Sequence, residues 1–169
     1  MKAAGALIAI ALALALQTTL ARFVVGGSTP IDLVLVAVVY IALTSGAASG
    51  MLAGSVAGLI QDALASPIIG IGGLSKSIVG FVVGAIGQQF IVTAALPRFV
   101  MFMAATALHS LVFMGLYVLL GLRQFGTPYA AVTGQAAANA VIGVVAFQLV
   151  ELLPGAVERR KARSTRLRR

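Results

Sequence analysis

The sequence predicts an all-α integral membrane protein, a single bundle of six transmembrane helices, on three observations. Of its 169 residues, 60% are hydrophobic and only 9% are charged. The mean hydropathy is +1.08, well outside the range of soluble domains. Between Ala3 and Pro154 the charged side chains are Arg22, Asp32, Asp62, Lys76, Arg98, Arg123 and Glu151. They divide the chain into apolar blocks near the length that spans about 30 Å of hydrocarbon. Glycines also recur every fourth residue, at Gly46, Gly50, Gly54 and Gly58, and the next step lands on Asp62. An interior glycine costs roughly 0.5–1 kcal/mol in a soluble helix, whereas between membrane helices it lets two backbones approach closely. Residues 1–157 form the bundle in this reading, and residues 158–169 form a basic tail.

The first block follows Lys2 and carries Ala-Leu repeats in the manner of a secretory signal peptide. Its apolar run of about 19 residues exceeds the usual h-region, and another apolar block follows at once, so a retained helix over 3–21 is predicted. Arg22 to Pro30, with Gly26-Gly27-Ser28-Thr29-Pro30, reads as a loop. From Leu33 to Gln61 no charge appears, and one helix of that length would run to roughly 43 Å, too long for a simple span. Thr44-Ser45-Gly46 is the expected interruption, giving helices over 31–43 and 45–64; one tilted helix, and hence five spans, is the alternative. Ser66-Pro67 and Gly70-Ile71-Gly72-Gly73 read as a loop. Helices over 74–91, 99–120 and 130–153 complete the set, separated by Leu96-Pro97-Arg98 and by Arg123-Gln124-Phe125-Gly126-Thr127-Pro128.

Orientation follows from the excess of Lys and Arg on the cytoplasmic side. The tail carries Arg159, Arg160, Lys161, Arg163, Arg166, Arg168 and Arg169 against the single acid Glu158, in a chain of net charge +8. Six spans then put both termini in the cytoplasm, with Lys2, Arg98 and the tail inside and Arg22, Lys76 and Arg123 outside. The tail is a topology signal and an anchor on anionic lipid, or else a dock for an acidic cytoplasmic protein. Nucleic acid is not its partner, because no aromatic residues are interleaved for base stacking.

Ionisable groups inside a hydrophobic span are costly and usually paired or functional. Asp62 is expected near the outer headgroups, where it either pairs with Lys76, bonds to the amides of Gly70–Gly73, or serves a ligand or proton. Asp32, just after Pro30, suits an N-cap or a first-turn acid favoured by the helix dipole. His109 in the fifth span and Gln135 and Asn139 in the sixth can meet in the bundle interior, as interhelical hydrogen bonds or as the lining of a small polar cavity. No nucleophile–base pair or carboxylate dyad marks a catalytic site. With one histidine, four carboxylates and no cysteine, the chain has little material for a metal centre and none for thiol chemistry. No cofactor is expected. A holin-like pore fits poorly, since so few charges offer no hydrated face.

Several stretches carry a resemblance: Pro30-Ile31-Asp32-Leu33, Tyr40, Gly54-Ser55-Val56-Ala57-Gly58-Leu59-Ile60-Gln61-Asp62, and the run from Gly70-Ile71-Gly72-Gly73-Leu74-Ser75-Lys76 to Gly80 and Gly84. Together with length, hydrophobic layout and basic end, they resemble the family of the rod shape-determining protein MreD. The resemblance covers nearly the whole chain and is most specific between Pro30 and Gly84. It implies a non-enzymatic inner-membrane subunit of the bacterial elongation machinery, working with MreC, the actin-like MreB, RodA and its transpeptidase. It also implies a six-helix arrangement similar to the substrate-binding component of energy-coupling-factor vitamin transporters, which supplies the alternative function. Those components dock through small residues of their first helix, for which Ala9 with Ala13 and Ala11 with Ala15 are candidates here. A vitamin carrier needs convergent polar and aromatic groups in an outward pocket. Tryptophan is absent, and Phe23, Phe125 and Tyr129 are the chief aromatics of the outer loops, which favours a scaffold. The candidate packing and interaction residues are Gly46, Gly50, Gly54, Gly58, Asp62, Lys76, Gly80 and Gly84.

Overall fold

The computed structural model of the chain describes residues 3–23, 31–65, 68–90, 94–122 and 129–166. Among them are six helices and no strand: α1 (Ala3–Phe23), α2 (Leu33–Ser45), α3 (Ala47–Ala65), α4 (Ile71–Gln89), α5 (Ala95–Leu119) and α6 (Tyr129–Arg166). The expected loop segments 24–30 and 123–128, and Ser66-Pro67, lie outside the described residues. Three stretches are long and apolar enough to cross a membrane, Ile71–Gln89, Ala95–Leu119 and Tyr129–Leu152.

The pattern of burial is that of a membrane protein. Leu7, Leu52, Ile69, Phe81, Leu96 and Leu111 lie on the outside, while Asp32, Asp62, Lys76, Arg98, His109 and Asn139 are buried. In water this arrangement would expose apolar surface and desolvate charge together; in lipid the apolar side chains meet their own solvent and the charges pair inside.

Helix α2 is the axis of the bundle. It is apolar all round, with Val34, Leu35, Val36, Val38, Val39, Ile41 and Ala42 buried, as expected of a helix with neighbours on every side. It touches α1, α3, α4, α5 and α6. On one side Ile10, Ala13 and Leu14 of α1 and Ala53 and Ala57 of α3 pack against Val34, Val38 and Ile41. On the other, Val79 and Val83 of α4, Phe102 and Ala105 of α5 and Ala140 and Phe147 of α6 pack against Leu35, Val39 and Ala42. Of the two alanine pairs in α1, Ala13 is buried and Ala9 half-buried, whereas Ala11 and Ala15 are exposed.

The helix break expected at Thr44-Ser45-Gly46 is present, two residues later than the predicted end of the second helix. Gly46 has φ 88°, a left-handed backbone that an L side chain adopts only with strain. Its N–H donates to the Ala42 carbonyl and its carbonyl accepts from Gly50, so one residue joins α2 to α3. Gly46 is therefore the joint before the glycine ladder rather than a rung within the third helix.

Two expected loops are instead first turns of helices. Ile71, Gly72 and Gly73 belong to α4, and Leu96, Pro97 and Arg98 belong to α5. Proline is tolerated there because first-turn amides have no partner within the helix. At the other end of the chain, α6 continues beyond the predicted limit at 153 as far as Arg166, through a segment rich in the helix formers Arg, Lys, Glu and Ala.

Candidate functional site

Glycines turn α3 and α4 into one unit. On α3, Gly50, Gly54 and Gly58 are buried and face α4 in antiparallel register. A methyl group at Gly50 would strike the Gly80 carbonyl, one at Gly54 the Lys76 carbonyl, and one at Gly58 the backbone of Gly72 and Gly73. The reverse also holds: Gly80 meets the Gly50 carbonyl, and Gly84 meets the backbone of Ala47 and Gly46. Since lipid tails are as apolar as leucine, dispersion at such short range is what holds membrane helices together. The hydroxyl oxygens of Ser55 and Ser77 lie 2.6 Å apart across the same seam. Gly46 faces the Gln88 side chain at the far end of the hairpin.

Asp62 closes the ladder by capping the neighbouring helix. Its Oδ2 accepts from the N–H groups of Gly70 and Gly72, each at 2.9 Å, and of Gly73 at 3.2 Å. These are the orphan amides at the start of α4, so a carboxylate from α3 does the work that an N-cap side chain normally does. This explains why the Gly-rich stretch can be helical. Lys76 is not the partner of Asp62.

Lys76 instead turns toward Asp32, with Nζ 2.8 Å from Oδ2 and both side chains buried. Asp32 caps α2 through Oδ1, which accepts from Leu35 N at 2.9 Å. The Asp32 N–H donates to Asn139 Oδ1 at 3.0 Å, and Asn139 Nδ2 donates to Thr106 Oγ1 at 3.2 Å. Gln17 of α1 donates to the Ile31 carbonyl and accepts from Leu33 N. His109 Nε2 stands 3.7 Å from Asp32 Oδ2, and its Nδ1 is buried without a hydrogen-bond partner. Polar groups from α1, α2, α4, α5 and α6 thus converge on the first turn of α2. The first-turn amides of Asp32, Leu33 and Leu35 all have acceptors, so this helix end is engaged by the protein itself rather than open to an anion.

A second junction lies at the opposite end of α5 and α6. Buried Arg98 forms a two-pronged pair with Glu151, one prong at 3.0 Å and the other from Nη2 to Oε1. Its guanidinium sits 4.2 Å above the Phe147 ring, which packs on Tyr40 of α2 at 4.6 Å between centroids.

Among the sequence candidates, His109 and Asn139 are brought together through Asp32, while Gln135 is half-buried and is not among the residues bonded to it. Thr106, Gln17 and the Arg98–Glu151 pair were not singled out by the sequence. Charge scarcity was the available signal for the pair. Among the described residues no three His, Asp or Glu side chains group as metal ligands. Side chains beyond residue 152, including the tail cations, lie outside the described residues.

The chain matches the family model described as rod shape-determining protein MreD over residues 4–155. No curated protein and no solved structure matches it.

Proposed function

Because the chain belongs to the MreD family of rod shape-determining proteins, we propose that it is a non-catalytic scaffold of the cell-elongation complex in the bacterial inner membrane. In this reading it links MreC and MreB to lateral peptidoglycan synthesis by RodA and its transpeptidase. The observation that carries the proposal is the interior chemistry: buried Asp62, Asp32 and Asn139 are spent on joining helices, Asp62 on three amides, Asp32 on Lys76, and Asn139 on Asp32 and Thr106. Such a core maintains a shape and leaves the work of recognition to the outer surface.

The scaffold has six crossings with both termini cytoplasmic. Alternation of α1 to α6 supports this, as does the position of Arg98 on the same side as the basic tail. The tail rests on anionic lipid. Depleting the protein in a rod-shaped bacterium is expected to round the cells, and the tagged protein is expected to co-purify with MreC. Unchanged cell shape, or MreC-independent function with nanomolar capture of a vitamin, overturns the proposal.

A further inference from the structure

We propose that His109 is a proton-binding site held in reserve for Asp32: when Lys76 leaves the carboxylate, the imidazole takes up a proton and replaces it as counter-charge. Asp32 is a buried carboxylate in an apolar interior, where loss of its counter-ion Lys76 is strongly unfavourable. Its Oδ1 is committed to Leu35 N, and its Oδ2 lies 2.8 Å from Lys76 Nζ and 3.7 Å from His109 Nε2. The imidazole is thus just beyond hydrogen-bonding distance of the oxygen that Lys76 occupies. His109 Nδ1 is buried and unpartnered, so neither ring nitrogen has a hydrogen bond in this arrangement.

The three groups come from separate mechanical units. Lys76 rides on α4, which the glycines lock to α3. His109 rides on α5, held to α6 by Arg98–Glu151 and by the Phe102 ring lying against Gly143. Asp32 begins α2 between them. The Lys76–Asp32 pair therefore ties the α3–α4 hairpin to the central helix, and exchanging Lys76 for protonated His109 transfers that tie to the α5–α6 hairpin. The proton passes from water to the imidazole lone pair; both ring nitrogens then carry hydrogen, and Nε2–H donates to Asp32 Oδ2. With Lys76 in place the pair is already neutral, and a second cation finds no counter-charge. Among the described residues no other ionisable group faces this cluster: α1 presents Gln17, α6 presents Asn139, and Asp62 of α3 is turned to the amides of α4.

His109 is the only histidine in the chain, so ring-15N-histidine labelling of the full-length protein in nanodiscs reports one imidazole. At about pH 7 the wild type is expected to show a neutral ring, Lys76→Met an imidazolium, and Asp32→Asn/Lys76→Met a neutral ring again. If Lys76→Met fails to fold at about pH 8, monodisperse protein is expected to return at about pH 5 and not to return in Lys76→Met/His109→Gln. A neutral ring in folded Lys76→Met, an imidazolium in the wild type or in the double variant, no acid recovery, or equal recovery without His109 overturns the proposal.

Discussion

At the residue scale, the decisive feature is how little room the glycines leave. A side chain at Gly54 meets the Lys76 carbonyl and the Ser77 amide nitrogen, neither of which can swing aside. Gly54→Leu is therefore expected to abolish the folded bundle, read as loss of the monodisperse peak on size-exclusion after detergent extraction, and with it the proposed MreC association. Gly115, on α5, has nothing within 4 Å of where a Cβ would stand, and Gly115→Ala is expected to leave the peak unchanged. Asp62→Ala strips the acceptor from three amides at the start of α4 and is expected to cost about 1–3 kcal/mol in thermal stability. The ladder and its end at Asp62 were legible because four-residue spacing maps directly onto a helix face. The partner of Lys76 was not. Asp62 is its nearer acid along the chain, and only the helix register reveals that glycine amides claim Asp62 first and leave Lys76 for Asp32.

At the scale of elements, one residue separates two helices that would otherwise be a single overlong span. Gly46 combines a φ of 88° with close contact to Gln88, so Gly46→Ala adds backbone strain of about 1–3 kcal/mol and is expected to lower the melting temperature even though alanine is the better helix former. If Gly46→Ala raises it, α2 and α3 prefer continuity and the break is not built in. The sequence placed this joint within two residues because Thr44-Ser45-Gly46 has both the turn chemistry and a length argument behind it. It misplaced the starts of α4 and α5 because Gly-rich and Pro-containing segments carry the same signal in a loop and in a first turn. What decides between them is an acceptor from elsewhere, and for α4 that acceptor is Asp62, whose contact is tertiary.

At the scale of the whole molecule, the proposed six crossings have consequences for accessibility. Among the described residues, three helices satisfy length and apolarity by themselves. Helix α2 is short, running 13 residues between its Asp32 cap and Gly46, and α3 is diluted by the glycines and serines that serve its contact with α4. In the proposed arrangement their membrane placement comes from the helices they pack against, α1, α4, α5 and α6. In an alternating bundle, the segment joining α3 to α4 and the start of α6 share one side, and the start of α5 lies on the other. The chain has no cysteine, so single-cysteine variants at exposed Ile69, Tyr129 and Leu96 test this against a silent background. In intact spheroplasts, Ile69→Cys and Tyr129→Cys are expected to react with a membrane-impermeant maleimide, and Leu96→Cys only after lysis. Labelling of Leu96→Cys from outside would invert the orientation. Opposite sides for Ile69→Cys and Tyr129→Cys would mean that α4 and α5 do not both cross, and the six-span arrangement would fail at the hairpin that its glycines and the Arg98–Glu151 pair bracket.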